Sequence, residues 1–504
     1  MQQRASMIPP AASGGLGASF RLASVLLAGL ILRSLHPGQP IVENYVGRQT
    51  PTAMVARNLE RGSGFLRPML DTAPLPNYFA VEPPIYQELV VAFRKLTRLP
   101  LDVAGRITSA LATTLAAWGV YSLMIRRAGE PSALAAAAAL SMLPITIRYG
   151  RAFQPDALMM GACTAGVACW DAAVARGSDR RLLAVGWALL AVGLAAKATA
   201  VYVPAAAFLA LFPRRNWKTF TLCASTLLPV LAWYAWAARL TGDSASRASA
   251  TNRDLWMGLL GLGALGSPET WDFIGRFLIL RAFTPLGVLG ALWGLCSGPG
   301  RRGNAFWWAW GGLAAATMAV LAAKLHHEYY WLCLAPVVGA GLGLAWSRID
   351  AWRPSAALAA ACAFAVLSLY ASDSTWWTPD EWEGLPEAAR VVAESTPKDD
   401  WVVAPEALLY HADRRGCRLE YTLAAATRAA SEWGPVASSK TPAELVEFYR
   451  SKGARWIADV GAENDDALRV DLHDWIRRRY KVVVDRPDVL LAELPPSEPT
   501  GHGE

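Results

Sequence analysis

The chain has 504 residues, of which 54% are apolar and only 18% are charged, less than the charged quarter of an ordinary globular protein. Because the apolar residues are gathered in long runs, the composition predicts a polytopic α-helical membrane protein with room for more than one domain. A formal net charge of +7 would favour nucleic acid as the partner of a soluble protein. Here the basic residues fall in short turns between apolar runs, so they indicate membrane topology and argue against nucleic acid.

Eleven apolar runs approach or reach the roughly 20 residues that a membrane span needs. They cover residues 17–36, 103–125, 131–149, 155–175, 182–197, 199–213, 218–239, 277–297, 305–324, 329–347 and 354–372. The first run ends at Arg33 and its neighbours without a small-residue cleavage site, which favours an uncleaved span over a signal peptide. The fifth and sixth runs are short and meet at Lys197, so a tight helical hairpin and one broken span both stay open.

The loop charges predict the orientation of these spans. Short basic turns contain Arg126-Arg127, Arg180-Arg181, Arg214-Arg215, Arg301-Arg302 and Arg348. The positive-inside rule places such turns in the cytoplasm. If the N-terminus is cytoplasmic and there are eleven spans, every second loop is cytoplasmic, and the basic turns are those loops. The loops left on the outer side are residues 37–102, 148–156, the turn at Lys197, 240–276 and 324–330. The membrane part, residues 1–373, therefore has a long first outer loop at 37–102.

The composition becomes polar after residue 373, which predicts a second domain over residues 374–494. Thr441 and Glu444 have the spacing of a capping box, and Gly453 ends the helix that follows. Strands are predicted at 455–460, 481–484 and 489–494, with a helix at 465–478 between the first two. This pattern indicates a small α/β domain, which an odd number of spans places outside the cytoplasm. Residues 495–504 are predicted to be a disordered tail.

The outer loops hold most of the remaining charged residues of the membrane part. These candidate site residues are Glu43, Arg48, Gln49, Arg57, Asp71, Glu82, Arg148, Arg151, Gln154, Asp156, Lys197, Lys324, His327, Glu328, Tyr329 and Tyr330. Carboxylates serve as general bases or as ligands of hard cations, and Arg and Lys hold phosphate oxygens. Acids and bases that converge at one face of a bilayer predict chemistry on an anionic, lipid-linked phosphate substrate.

Simpler explanations compete for each of these residues. Asp156 follows a proline and, taken alone, is explained by the helix dipole. Arg151 at a span boundary is explained as well by snorkelling to the headgroups. Lys197 lies between apolar stretches, where an ionisable group is a functional candidate by default, although it also fits the tip of a hairpin. Adjacent residues of a helix point about 100° apart, so of His326 and His327 one functional histidine is expected rather than a metal pair.

Several short motifs stand in order between the spans. They are Arg48-Gln-Thr-Pro-Thr-Ala-Met-Val-Ala-Arg57-Asn58, Glu82-Pro-Pro-Ile-Tyr86, Arg151-Ala-Phe-Gln-Pro-Asp156, Lys197 and His327-Glu-Tyr-Tyr330. In this order they resemble the integral-membrane C-superfamily (GT-C) glycosyltransferases, in particular the bacterial branch related to protein O-mannosyltransferases and the lipid A aminoarabinose transferase. The resemblance covers about residues 20–370.

The resemblance implies an enzyme that moves a sugar from a polyprenyl-phosphate donor to a lipid, glycan or protein acceptor. The reaction would take place at the outer face of the bacterial cytoplasmic (inner) membrane. It implies the catalytic acids Glu43, Asp156 and Glu82. The implied substrate- and phosphate-binding residues are Arg48, Gln49, Arg57, Arg151, Lys197, His327 and Tyr330. A divalent metal ion stays open as a cofactor, with Glu82 and His327 as its candidate ligands.

One position departs from the pattern, and two other function classes stay open. Related sequences commonly carry Asp where this chain has Pro51, so Glu43 becomes the nearest substitute for the first-loop acid. A lipid-linked saccharide transporter or flippase is disfavoured, because transporters keep their ionisable groups near the bilayer midplane rather than in outer loops. A catalytically silent scaffold is the third class, and Pro51 makes it more credible.

Overall fold

The computed structural model describes residues 16–243, 257–297, 304–325, 327–461 and 467–496. The basic turn Arg301-Arg302, His326 and tail residues 497–504 lie outside the described residues. The described chain consists of a helical part, which carries the predicted spans, and a smaller C-terminal part built around a β-sheet.

The helical part follows the apolar runs closely. Its α-helices are α1 (Leu16–Arg33), α2 (Val46–Glu60), α3 (Ile85–Thr97), α4 (Leu101–Met142), α5 (Pro144–Arg148), α6 (Asp156–Ala175), α7 (Arg180–Ala196), α8 (Tyr202–Ala210), α9 (Trp217–Ser225), α10 (Leu228–Asp243), α11 (Pro268–Phe273), α12 (Pro285–Ser297), α13 (Ala305–Val320), α14 (Ala335–Trp352) and α15 (Pro354–Tyr370). Short 3₁₀ segments cover Ala198–Val201, Gly263–Gly266, Ala322–Lys324 and Glu328–Leu334, and a π-helix covers Ile274–Ala282. The predicted runs 103–125 and 131–149 share one long helix, α4, which breaks at Gly129, where φ is +79°.

Only some of these helices are long and apolar enough to cross a membrane by themselves. Within the described residues they are Leu101–Met142, Asp156–Ala175 and the combined segment Glu328–Trp352. Three further pairs of helices qualify if each bent pair is taken as one span, which gives up to six. The count of eleven spans therefore stays a prediction, since bends at Pro and Gly divide many of the apolar runs into shorter helices.

Small residues let the long helices approach each other closely. A Cβ atom added at Gly161 of α6 would lie 2.2 Å from the carbonyl oxygen of Ala112 in α4. One added at Gly343 of α14 would lie 2.4 Å from the carbonyl oxygen of Ser132, also in α4. Such contacts are typical of membrane helices, whose association depends on close packing because lipid gives little hydrophobic driving force. Helix α4 is therefore packed on both sides, by α6 and by α14.

The segment between α1 and α4, residues 37–100, corresponds to the predicted first outer loop and is named the first outer segment after that prediction. It contains α2, a two-stranded antiparallel hairpin of β1 (Met69–Leu70) and β2 (Asn77–Tyr78), and α3. Most residues of α2 are buried, although its sequence is not apolar. The segment is therefore folded into the body of the protein and is not an open loop.

The C-terminal part contains a five-stranded sheet covered by helices. Its elements are α16 (Leu385–Ser395), β3 (Val402–Ala404), α17 (Glu406–His411), β4 (Gly416–Arg418), α18 (Leu423–Ser431), α19 (Pro442–Ser451), β5 (Trp456–Val460), α20 (Ala467–Arg479), β6 (Lys481–Arg486) and β7 (Val489–Glu493). The strand order is β4-β3-β5-β7-β6. Strand β3 pairs in parallel with β4 and β5, whereas β7 runs antiparallel to β5 and β6.

The sequence predicted the second half of this part well. Strands β5, β6 and β7 and helix α20 occur where they were predicted, and Thr441 and Glu444 form the capping box at the start of α19. Strands β3 and β4 were not predicted, because each has only three residues and neither alternates between apolar and polar positions. The domain boundaries and the outer location of this domain stay predictions.

The first outer segment is joined directly to the sheet of the C-terminal domain. The amide of Gly416, in edge strand β4, donates to the carbonyl of Asp71 at 3.1 Å, and the amide of Ala73 donates to the carbonyl of Gly416 at 2.7 Å. Arg57 donates to the carbonyl of Tyr410 at 2.6 Å and forms an ion pair with Asp71 at 2.5 Å. The backbone pairing and the bond from Arg57 to the Tyr410 carbonyl both cross the junction, so they hold the domain against the helical part.

Candidate active site

A cavity of about 520 Å³ lies where the first outer segment and the segment 321–330 meet the C-terminal domain. The helical part contributes Tyr45, Arg48, Pro51, Glu82, Lys197, Lys324, His327, Tyr329 and Tyr330 to its wall. The C-terminal domain contributes Glu406, Arg418, Glu420, Arg428 and Glu432. The volume lies within the range of about 300–1,000 Å³ that is usual for pockets that bind small ligands.

Lys197 is held in the cavity wall by a buried ion pair. It follows α7 with an extended backbone, and its ammonium group contacts Oδ1 of Asp156, the first residue of α6. The same Nζ atom lies 4.4 Å from the ring centre of Tyr329 and 4.6 Å from that of Tyr330. The aromatic faces and the carboxylate therefore stabilise the charge of a lysine that is otherwise enclosed among apolar helices.

Arg48 forms the second ion pair of the cavity wall. It lies in the first turn of α2, and its Nη2 atom is 2.7 Å from Oε1 of Glu82. The charges of Arg48, Lys197 and Arg428 are close enough to Lys324 to repel its ammonium group. Like charges are brought together in this way at a cost in stability, and an anion bound between them would remove that cost.

The aromatic residues of the cavity are positioned by Glu328, which is buried. Its carboxylate lies 2.5 Å from Nη1 of Arg148 and 2.9 Å from Nε of Arg281. These ion pairs fix the start of the 3₁₀ segment Glu328–Leu334, from which Tyr329 faces the cavity. The ring of His327 lies 4.5 Å from that of Tyr45, which connects this segment to the first outer segment.

The comparisons with known proteins agree with this architecture. Residues 81–249 match the family model of the dolichyl-phosphate-mannose-protein mannosyltransferases. The structure of ArnT from Cupriavidus metallidurans bound to undecaprenyl phosphate is similar, with a TM-score of 0.62 and 13% identity over 96% of this chain and 99% of that one. The chain shares the fold of the integral-membrane GT-C glycosyltransferases. The resemblance predicted from the motifs is confirmed.

Two further structures share the GT-C fold with this chain. The oligosaccharyltransferase of Archaeoglobus fulgidus in complex with Zn and sulfate has a TM-score of 0.57 and 15% identity, over 87% of this chain and 68% of that one. The arabinofuranosyltransferase AftD from Mycobacteria has a TM-score of 0.54 and 16% identity, over 95% of this chain and 40% of that one. Comparison with curated proteins gives no match.

Within this GT-C fold, the structure brings only part of the predicted site together. Arg48, Glu82, Lys197, His327 and Tyr330 line the cavity. Asp156 lies directly behind Lys197, and its Oδ2 atom is buried without a hydrogen-bond partner among the described residues. Both acids that reach the site are therefore paired with a cation of the wall.

The other predicted site residues lie outside the cavity wall. Glu43 is fully buried, and its two oxygens lie 3.0 and 2.7 Å from Nε and Nη2 of Arg106. Gln49 donates to the carbonyl of Glu43 at 2.6 Å and accepts from the amide of Phe153 at 2.8 Å. Arg151 is buried and donates to the carbonyl of His36 at 2.9 Å. Arg57 lies at the domain junction, so these four residues hold the fold around the site and do not line the cavity.

The C-terminal wall of the cavity was not predicted from the sequence. Arg418 there has three carboxylates around it, with Glu420 at 2.8 Å, Glu432 at 3.2 Å and Glu406 at 3.9 Å. Burial raises the pKa of Glu406 to about 7, opposed by the charge of Arg418 and reinforced by the charges of Glu432 and Glu420. The sequence around these acids does not distinguish them from surface carboxylates, because they reach the cavity only when the C-terminal domain packs against the helical part.

The predicted metal site finds limited support. Glu82 and His327 both line the cavity. Among the residues that the structure describes, however, no three His, Cys, Asp or Glu side chains are grouped to hold an ion. Within that part of the chain, Glu82 and His327 are therefore two separate candidate ligands and do not form a complete site.

Proposed function

We propose that the protein transfers a sugar from a polyprenyl-phosphate donor to an acceptor hydroxyl. The observation that carries the proposal is the convergence of Arg48, Lys197 and Lys324 in one cavity of ligand size. Arg binds phosphate through a planar fork and Lys through a compact charge, so together they suit the phosphate of the donor. The undecaprenyl phosphate bound to ArnT supports a donor of this chemical class.

The cations also supply the main catalytic effect in this proposal. When the bond between the anomeric carbon and the phosphate oxygen breaks, its electron pair stays on the phosphate. Preorganised cations stabilise the negative charge that develops there, and such electrostatic stabilisation is usually the largest single contribution to catalysis. Glu82 and Asp156 act on the reaction indirectly. Glu82 holds the guanidinium group of Arg48 in place, and Asp156 holds the ammonium group of Lys197.

The topology predicted from the basic turns places the cavity at the outer face of the cytoplasmic membrane. The polyprenyl chain of the donor would lie in the bilayer, while its phosphate and sugar enter the cavity. Glu43 has a structural role in this proposal, since Arg106 occupies both of its oxygens.

The test uses the purified full chain in detergent with undecaprenyl phosphate and a panel of polyprenyl-phosphate hexoses and pentoses. We expect undecaprenyl phosphate to raise the unfolding temperature, and one donor to release polyprenyl phosphate. The variant Arg48→Gln should lose most of the stabilisation, whereas Lys95→Gln, which removes an exposed charge from α3, should keep it. If neither undecaprenyl phosphate nor any donor changes the unfolding temperature, the proposal is overturned.

A further inference from the structure

The acceptor's proton needs a receiving group, and among the described residues the two predicted catalytic carboxylates of the helical side that reach the site both hold cations. Glu82 holds Arg48 at 2.7 Å, and Asp156 holds Lys197. Protonation of either carboxylate would break an ion pair next to the phosphate site. Pro51, which lines the same wall, carries no ionisable group. A carboxylate that can take the proton without breaking such an ion pair must therefore come from another part of the cavity.

Glu406 is the available carboxylate of the C-terminal wall. It lines the cavity, and its carboxylate makes no hydrogen bond with any residue that the structure describes. The guanidinium of Arg418 is 3.9 Å away, whereas the same guanidinium lies 2.8 Å from Glu420 and 3.2 Å from Glu432. Arg418 therefore engages the other two acids and leaves the Glu406 carboxylate open to the cavity.

The position of Glu406 relative to the cations suits a proton acceptor. The hydroxyl of Tyr45 experiences the charge of Arg48 as well as those of Glu406 and Arg428. Tyr45 lines the cavity and is therefore close to charged groups of both the helical wall and the C-terminal wall. A donor whose phosphate contacts Arg48 and Lys197 would occupy the same cavity as Glu406, which leaves the carboxylate within the space open to its sugar and to an acceptor hydroxyl.

The helix that carries Glu406 is held in a fixed position. Glu406 and Tyr410 are four residues apart on α17, so they lie on one face of the helix. Arg57 donates to the Tyr410 carbonyl at 2.6 Å, and the Tyr410 hydroxyl donates to Asp102 at 2.5 Å. A catalytic group must keep its geometry within a fraction of an ångström, and these contacts provide the support from the helical part.

We propose that Glu406 is the general base of the transfer, an inference that rests on the proposed function. The acceptor oxygen forms a bond to the anomeric carbon, and the carboxylate of Glu406 takes the hydroxyl proton. The bond from the anomeric carbon to the phosphate oxygen breaks, and its electron pair leaves with the polyprenyl phosphate. Glu406 then releases the proton to water in the open cavity. The C-terminal domain thus supplies a catalytic residue and is part of the active site.

The charged surroundings of Glu406 favour this role. The groups that face it are Arg418 on β4, Glu420 after that strand, Glu432 after α18, and Tyr45 from the first outer segment. Burial, with the two acids adding to it and Arg418 opposing it, raises the pKa of Glu406 to about 7. A general base works best when its pKa lies near the working pH, since it is then both ionised and basic.

The first experiment is the pH profile of polyprenyl phosphate release from the productive donor, with water as the acceptor hydroxyl, in wild type and Glu406→Gln. The wild-type rate should rise with pH and level off above about pH 7. In Glu406→Gln this rise should be absent, and the rate should be about 10²-fold lower than the wild-type plateau. Glu406→Asp should recover part of both. Stabilisation by undecaprenyl phosphate should be unchanged in Glu406→Gln, which shows that the variant is folded and its phosphate site intact.

Two variants of the same domain serve as comparisons. Glu394→Gln removes an exposed carboxylate and should keep the wild-type profile. Glu420→Gln removes a partner of Arg418 and should keep the rise with pH, whatever its plateau. If Glu406→Gln retains the wild-type rate and profile, or if Glu420→Gln abolishes the rise as completely as Glu406→Gln, the assignment is overturned. In either case donor release by the wild type still supports the proposed function.

Discussion

Asp156, at the start of α6, holds Lys197, after the end of α7, in a buried ion pair whose ammonium group also lies over the rings of Tyr329 and Tyr330. The pair joins the start of one helix to the end of the next. It places a positive charge in the cavity wall and a carboxylate directly behind it. Its contribution to stability and its proposed part in phosphate binding can be separated by mutation.

Lys197→Met removes the charge while keeping most of the volume of the side chain. We expect the release of polyprenyl phosphate to fall by about 10²–10³-fold, the usual effect of losing one preorganised charge at a developing anion. The variant should also lose about 3 kcal/mol of stability, because Asp156 is left buried without its partner. Thermal unfolding and a rate assay on the folded fraction measure the two effects.

The double variant Lys197→Met, Asp156→Leu separates them further. It removes both charges, so most of the lost stability should return, because an apolar pair can replace a buried ion pair at little cost. The rate should stay low, since the phosphate still lacks its cation. A double variant that recovers the rate together with the stability would show that Lys197 has no part in the chemistry.

Glu43→Gln tests whether the first-loop acid is structural. Glu43 and Arg106 are both fully buried, so the substitution should destabilise the chain by about 3–5 kcal/mol. The rate per folded molecule should fall far less than in Lys197→Met, because Glu43 does not line the cavity. A folded Glu43→Gln protein with a rate about 10²-fold lower would instead support the catalytic role predicted from the sequence.

The sequence was most informative where a local pattern decides the structure. The apolar runs predict the helices, Thr441 and Glu444 predict the start of α19, and the outer loops predict that Arg48 and Lys197 belong to one site. The apolar runs and the capping box are patterns of residues that are neighbours in the chain. The grouping of Arg48 with Lys197 follows from the topology that the loop charges predict. Such features do not depend on the details of the tertiary contacts.

The remaining features depend on contacts between distant residues. Glu43 and Glu82 are both acids of the first outer segment, and the sequence does not distinguish them. Their partners do, because Glu43 pairs with Arg106 inside the fold and Glu82 pairs with Arg48 in the cavity wall. Glu406 reaches the site because the edge strand that begins at Gly416 pairs with the backbone of Asp71 and Ala73. No sequence period encodes that pairing, so the C-terminal wall could not be predicted.

Arg57→Ala tests the domain junction. Arg57 binds Asp71 and the Tyr410 carbonyl, and it lies 4.6 Å from the ring centre of Tyr410. Its loss should loosen α17, so we expect a lower rate with unchanged stabilisation by undecaprenyl phosphate. Limited proteolysis should cut the link between the two parts sooner than in the wild type.

Arg61→Ala is the matched control for that junction variant. Arg61 forms an exposed ion pair with Asp413 at the same junction, and such pairs contribute about 0–1 kcal/mol. Its rate and proteolysis pattern should resemble those of the wild type. Equal effects of Arg57→Ala and Arg61→Ala would mean that the general charge of the junction, rather than the Arg57 contacts, holds the domain.

The predicted orientation can be tested with single cysteines at exposed positions. Ser395→Cys lies at the end of α16, in the domain predicted to be outside, and Arg180→Cys lies at the start of α7, in a turn predicted to be cytoplasmic. In intact cells whose outer barriers admit the reagent, a membrane-impermeant maleimide should label Ser395→Cys, and it should label Arg180→Cys only after the cytoplasmic membrane is opened. The wild type gives the background from its native cysteines, of which Cys417, in the same domain as Ser395, is buried. The reverse labelling pattern would place the cavity in the cytoplasm and contradict the positive-inside assignment.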